Sequence, residues 1–305
     1  VGSEMCIRDR PIRLYYNQCV FTMEPSLKGR SAQTVQTGIE LIGSSSKMAD
    51  LEVIATAIEV LSSCSDGEFS LEIGDIRFFR ELVEKLDATD EQKETIRDYI
   101  EAKNYPALND MLDSIGKNEI THALKRLPRL FGGEEVFDKA AELFSDDKID
   151  SVLEGLKELY KNVSAIIGSG NLTVDLGMVN RTDYYTGVII KGYLEGYGEE
   201  VLSGGRYDKL IADFGYDVPA TGFAVNVDAV TQVELKRRPL KAALADVIVF
   251  AEKGYEMEAL KKSDDLRKSG KKVEISLFDS IDETVKYAEE KNISEILTVG
   301  GKEEQ

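Results

Sequence analysis

An α+β chain with a helical insertion, followed by a small α/β unit, is the fold class this sequence predicts, on three observations. Strand-like alternation recurs at residues 13–23, 33–41, 69–74, 172–178 and 187–194, which reads as an antiparallel sheet with helices between its strands. Between about residues 77 and 163 the apolar spacing turns helical and is broken at Pro106, Gly116, Pro128 and Gly132-Gly133. From 246 to 299, strand, helix, strand, helix and strand follow in order, the signature of a parallel sheet.

The elements follow in chain order. Residues 1–10, VGSEMCIRDR, carry neither strand nor helix period and no apolar signal-peptide core. MCIRDR resembles translated sequencing adapter, so residues 1–10 are read as a non-native leader and the native first segment is expected upstream. Residues 13–23 alternate and are rich in Tyr, Val and Phe, which predicts a strand. Pro25 and Gly29 mark the loop after it, and residues 33–41 read as the returning strand. Leu51, Ile54, Ala55, Ile58 and Leu61 fall at helical spacing over 50–61, and Phe69, Leu71 and Ile73 alternate in the next strand.

Within the helical stretch, Thr89 and Gln92 fit a capping box. Val152, Leu153, Leu156, Leu159, Tyr160 and Val163 share one face, read as the core of the insertion. From residue 172 the sheet resumes, with a further β-rich run over 187–194, and it ends near Asp228; a basic link over 234–239 leads to the second unit. These boundaries predict a core over 11–240 and an α/β domain over 241–305.

Composition excludes several function classes. The 305 residues hold 38 Lys+Arg against 56 Asp+Glu, a net charge of −18, which disfavours general binding to phosphate backbones. The basic clusters Lys125-Arg126 and Lys236-Arg237-Arg238 read as solvated surface. Cys6, Cys19 and Cys64 form no CxxC pair and His122 is the single histidine, so neither a zinc site nor a Cys/His nucleophile is expected. Reduced cytoplasmic thiols are the simpler reading, with no metal and no cofactor. No apolar run approaches the ~20 residues needed to cross a bilayer.

Function concentrates between Met178 and Asp228. Arg181-Thr182-Asp183-Tyr184-Tyr185-Thr186-Gly187 sets a guanidinium, a carboxylate and two phenols beside a strand. Ser203-Gly204-Gly205-Arg206-Tyr207-Asp208 adds two glycines and another Arg/Asp pair, and Thr221-Gly222-Phe223 opens the last strand. Such a mixture between β-like runs suits the floor of a small-molecule pocket. Gly204 and Gly205 are not a phosphate loop, because no Lys-Ser/Thr follows; they are expected to permit close backbone approach. From the residues alone, Arg181 and Asp183 could equally form a structural salt bridge.

Those motifs resemble the histidyl-tRNA synthetase-like family. The run from Arg181 to Gly187 is similar to the family's histidine-recognition motif and the run from Ser203 to Asp208 to its second signature. Gly29-Arg30 followed by Gln36-Thr37-Gly38-Ile39-Glu40 looks like the loop and return strand of class II motif 2. The resemblance covers about residues 11–240 and, more weakly, an anticodon-binding-like domain after it. It implies a class II aminoacyl-tRNA synthetase-like fold. By motif position it implies a histidine site in which Gln36 and Glu40 meet polar groups, Arg181 the carboxylate, and Tyr185 the imidazole edge. Tyr184 joins that set, with Arg30, Asp183, Gly204, Gly205 and Arg206 as supports.

Departures from the pattern matter as much. Active synthetases carry an ATP-binding Arg where this chain has Thr22, and a second where it has Ala229. Neither side chain replaces a fork of charged donors. The resemblance therefore points to the family's regulatory-subunit branch, with no catalytic residue of its own. That branch implies the short-form catalytic subunit of ATP phosphoribosyltransferase as partner, L-histidine as ligand, a homodimer within a hetero-oligomer, and no tRNA. Two alternatives stay open: a divergent synthetase drawing on Lys28 or Arg30 for ATP, and a histidine-sensing module with another partner.

Overall fold

The computed structural model describes residues 11–22, 31–179, 184–239 and 245–301. The chain divides into two compact units at Arg237/Arg238. In the first, eight strands form one sheet in the order β1-β2-β8-β7-β6-β3-β5-β4. β1 (Ile12–Phe21), β2 (Gln33–Ile42), β8 (Ala220–Asn226), β7 (Leu202–Arg206), β6 (Val188–Leu194) and β3 (Phe69–Asp75) pair antiparallel in that sequence. β5 (Leu172–Asp175) runs parallel to β3 and takes the short β4 (Phe131–Gly132) on its far side.

One face of the sheet is apolar and covered. Leu41, Phe223, Leu202, Ile190, Leu71 and Ile73 point to the side where α1 (Lys47–Ser65) presents Val53, Ile54, Ala57, Ile58 and Leu61. The helix is longer than the apolar spacing over 50–61 predicts, because Ser46 caps its start, accepting from the Met48 amide at 3.1 Å. The other face of the sheet carries Gln36, Glu40, Glu72 and Lys191 among glycines and small or apolar residues such as Ile189.

The helical stretch comprises α2 (Ile76–Glu84), α3 (Asp90–Glu101), α4 (Tyr105–Ile115), α5 (Glu119–Arg126), a 3₁₀ turn (Leu127–Arg129), α6 (Glu135–Leu143) and α7 (Asp147–Ile167). The Thr89 capping box is present: Thr89 Oγ1 accepts from the Gln92 amide at 3.3 Å and Gln92 Oε1 from the Thr89 amide at 2.9 Å. The stripe on α7 is buried as expected, from Ile149 to Val163. It does not close a separate core: the helices' buried side chains continue into the cluster that underlies the sheet. His122 is exposed on α5.

Three further boundaries differ from the sequence expectation, each for a local reason. The strand expected over 172–178 ends at Asp175, whose carboxylate accepts from the Gly177 amide at 2.8 Å and turns the chain. β4 lies inside the stretch read as helical, too short for its alternation to register. The basic link expected at 234–239 is mostly helix, since α8 (Val227–Arg237) runs through it; Arg237 is not simply solvated, because it pairs with Glu68 at 3.1 Å.

The second unit is a three-stranded parallel sheet, β10 (Val273–Ile275), β9 (Val247–Ala251) and β11 (Glu295–Val299) in that order, with α9 (Glu256–Lys268) and α10 (Ile281–Glu290) as crossovers. The central β9 is buried from Val247 to Phe250.

Leu61 is 1% exposed and lies between α1 and the sheet. Leu61→Ala is expected to destabilise the chain by about 2–5 kcal/mol, seen as a lower urea midpoint at unchanged slope.

Candidate functional site

Register assigns the site to the polar face. Tyr16 on β1 stands opposite Gly38 on β2, Glu40 on β2 opposite Gly222 on β8, and Gly222 opposite Gly205 on β7. Each of these three glycines is overlain by a side chain. A Cβ on Gly38 would lie 2.7 Å from the Tyr16 ring, one on Gly205 would lie 3.0 Å from the Tyr185 ring, and one on Gly222 would overlap the Glu40 carboxylate. Any larger residue would displace the side chain above it.

The overlying groups bond to one another. Tyr207 donates its hydroxyl to Glu40 Oε2, and Tyr16 donates to Gln36 Oε1 at 2.9 Å. Tyr184 and Tyr185 pack with ring centroids 4.4 Å apart, and Tyr184 meets Tyr207 edge-on at 6.0 Å. Arg80 on α2 donates to the Tyr185 carbonyl at 2.9 Å, holding the pair from behind. The result is a carboxylate and a carboxamide ringed by four phenols, a donor and acceptor set suited to a small polar ligand with an aromatic or cationic part.

Electrostatics follow from burial. Desolvation raises Glu40 above the ordinary glutamate value, against the Tyr207 hydrogen bond, which lowers it. Tyr185 and Tyr207 are both raised well above an ordinary phenol, chiefly by burial, so each is a neutral donor at physiological pH.

Arg206 faces the other way. Its guanidinium bonds Asp50 on α1 at 2.9 Å, Asp208 at 2.9 Å and the Ser44 carbonyl at 3.1 Å, on the helix-covered side. Its own carbonyl accepts from the Thr186 amide at 2.7 Å, and Thr186 Oγ1 accepts from the Asp208 amide at 2.9 Å. Arg206 thus supports the tyrosine pair through the backbone, while Tyr207, the next residue, reaches the ligand side. Gly204 also lies on the covered side, where a Cβ would strike the Gly222 carbonyl and the Phe223 side chain. Asp50 is raised by burial although Arg206 pulls it down.

Of the sequence-derived set, Gln36, Glu40, Tyr184, Tyr185 and Gly205 come together on one face. Arg30, Arg181 and Asp183 lie outside the described residues, as do Lys28 and residues 1–10. Tyr207 and Tyr16 are members that sequence reasoning missed. Strand alternation, which sets Tyr207 opposite in sense to Arg206, could have found the first. Ala229, at the position of the second nucleotide arginine, is fully buried on α8, its amide held by Asn226 Oδ1 at 3.0 Å. Thr22 closes β1, its amide donating to the Ala32 carbonyl at 2.9 Å.

Two expected outcomes follow from this geometry. Arg206→Met leaves Asp50 without its buried counter-charge and is expected to cost about 3–5 kcal/mol in denaturant unfolding. For Glu40, the folded state holds its proton more tightly than the unfolded chain, so ionisation costs stability as pH rises above the ordinary glutamate range. Glu40→Gln, which keeps an acceptor for Tyr207, is therefore expected to raise the Tm at pH 8. The gain should close as pH falls below about 4, where both states of the parent are protonated.

Known proteins place this geometry in context. The histidyl-tRNA synthetase family model matches residues 3–230. The ATP phosphoribosyltransferase regulatory subunit of Clostridium novyi is 38% identical over 99% of this chain and 73% of its own length. That of Clostridium acetobutylicum is 39% identical over 94% and 72%. Among solved structures, an ATP phosphoribosyltransferase regulatory subunit/histidyl-tRNA synthetase from Bacillus halodurans C superposes with TM-score 0.74 at 26% identity, covering 99% of this chain and 76% of that one. Histidyl-tRNA synthetase from Nostoc sp. PCC 7120, with TM-score 0.68 and 21% identity over 95% of this chain and 71% of that one, shares the fold. The chain belongs to the histidyl-tRNA synthetase-like family of ATP phosphoribosyltransferase regulatory subunits.

Proposed function

We propose that this chain is the non-catalytic regulatory subunit of ATP phosphoribosyltransferase, acting at the first step of histidine biosynthesis. In this reading the short-form catalytic subunit requires it for activity, and it conveys feedback inhibition by L-histidine. The observation that carries the reading is the family: relatives 35 to 39% identical over nearly the whole chain bear that name.

The site supports a histidine ligand. Glu40 and Gln36 supply acceptors for an ammonium or an imidazole N–H, and the Tyr184, Tyr185 and Tyr207 phenols supply neutral donors and ring faces. Arg181, by its motif position, would take the carboxylate as a charge-assisted fork. Thr22 and the buried Ala229 support a pocket without nucleotide chemistry, since neither offers a cation to an α-phosphate. Regulation then needs only that histidine bind one assembly state better than another. A homodimer within a hetero-oligomer, no tRNA binding and a cytoplasmic setting complete the proposal. The last agrees with the absence, among the described residues, of any helix long and apolar enough to cross a membrane.

The decisive measurement mixes the purified chain with a short-form catalytic subunit. Histidine is expected to inhibit the mixture and not the catalytic subunit alone, and Arg181→Ala is expected to weaken that inhibition about tenfold or more. Histidine-dependent ATP–pyrophosphate exchange by the chain itself would overturn the proposal in favour of a synthetase.

A further inference from the structure

The concavity between the end of α5 and the C-terminal half of α6 holds charge that the histidine site does not use. It encloses about 280 Å³ and is lined by Arg126, Arg129, Lys139 and Glu142 over an apolar floor of Leu130 and Leu143. We propose that it is a binding site for a small phosphate-bearing anion, a phosphomonoester or a pyrophosphate group. The site lies in the helical stretch and does not rest on the histidine reading.

Local structure aims the two arginines together. Arg126 ends α5 and Arg129 ends the 3₁₀ turn that follows, with Pro128 stiffening that turn. Side chains three apart eclipse one another in 3₁₀ geometry, so both guanidiniums leave the backbone on one side. Leu127 and Leu130, 0% and 4% exposed, pin the turn to the core beneath. The cations are held on a fixed support rather than on a loose loop.

Charge distribution is the second argument. The chain carries 56 acidic against 38 basic residues, so a carboxylate is within easy reach of most cations. Neighbouring Lys125 pairs with Asp113 at 2.7 Å, Lys148 with Glu81 at 3.3 Å and Lys157 with Asp138 at 3.5 Å. Among the described residues, Arg126 and Arg129 have neither an ion pair nor a side-chain hydrogen bond, and Lys139 reaches Glu135 at 3.6 Å. Two guanidiniums without a carboxylate partner thus share the concavity with Glu142 and with Lys139, which is already paired to Glu135, and an anion seated among them would relieve their mutual repulsion. Planar guanidinium forks match tetrahedral oxyanions in two-point contacts, which selects phosphate over a halide. The cavity has room for one or two phosphate groups, and Glu142 would accept from a hydroxyl of the ester while discouraging a longer polyanion.

Calorimetric titration of the full chain with inorganic pyrophosphate in ~0.15 M salt, where diffuse surface attraction is screened, tests the site. Saturable one-to-one binding is expected, with affinity lowered about tenfold or more in Arg126→Ala/Arg129→Ala. The Arg126→Lys/Arg129→Lys variant should recover only part of the loss, because lysine keeps the charge without the fork. A control, Lys261→Ala/Lys262→Ala on the exposed surface of α9, should bind as the parent does. Absence of saturable binding would overturn the proposal, as would an equal loss in the control, which would mark the attraction as general electrostatics. All substituted side chains are exposed, and circular dichroism unchanged from the parent would exclude misfolding as the cause.

Discussion

Three side chains lying flat on three glycines govern the architecture of the first unit. The Glu40 carboxylate, the Tyr16 ring and the Tyr185 ring occupy the volumes that a Cβ on Gly222, Gly38 and Gly205 would fill. Gly222 and Gly205 are cross-strand partners and Gly38 lies on the next strand, two residues from Glu40, so one face of the sheet is shallow there, while the other is apolar apart from the Arg206–Asp50 pair. The recess lets a charged group sink far enough for burial to raise its pKa, and it brings four phenols within reach of it. Helices on the covered side, with Arg206 tied to Asp50 at their contact with the sheet, hold the strands in the register that keeps the glycines aligned.

Specificity and rigidity are assigned here to adjacent residues. Arg206 and Tyr207 project to opposite faces of the strand end, so the frame and the ligand wall move as one piece. Thr186 and Asp208 close the same unit by bonding across the two motifs, which places the tyrosine pair by backbone contacts instead of side-chain length. Tyr207, bonded to Glu40, is joined to Arg206 by the backbone, and Arg206 bonds Asp50 on α1, so the two faces of the strand end are connected by one peptide step and one charged hydrogen bond.

Much of this was legible in the sequence, and what was not has physical causes. β1, β2, β3, β6 and the β9–β11 unit declared themselves because alternation or βαβ order is a local property. The capping box at Thr89 and the stripe on α7 are local as well. The grouping of Gln36, Glu40, Tyr184 and Tyr185 came from motif resemblance, since no local pattern links residues 36 and 185. Tyr16 escaped because its role depends on the β1–β2 register, and Tyr207 because the neighbouring Arg/Asp pair drew the reading toward charge. β5 was expected to be longer because an Asx turn at Asp175 leaves apolar alternation intact, and 234–239 was read as a link because the last turn of α8 is held by the distant Glu68. Arg126 was read as solvated surface; nothing in its sequence neighbourhood reveals that Arg129 and Lys139 converge with it on one concavity.

The position of β8 in the sheet has a consequence for how the molecule is made. β2 lies between β1, its immediate sequence neighbour, and β8, from which nearly the whole first unit separates it in the chain. During synthesis the β1–β2 hairpin emerges before β8, so the edge of β2 that β8 later covers is still unpaired and Glu40 lacks its partner Gly222. Pairings of such high sequence separation are slow to form, so the interval is a window for strand exchange between nascent chains. The polar side chains of Gln36 and Glu40, on the strand that β8 will cover, serve during that interval to keep the hairpin from sticking to its neighbours.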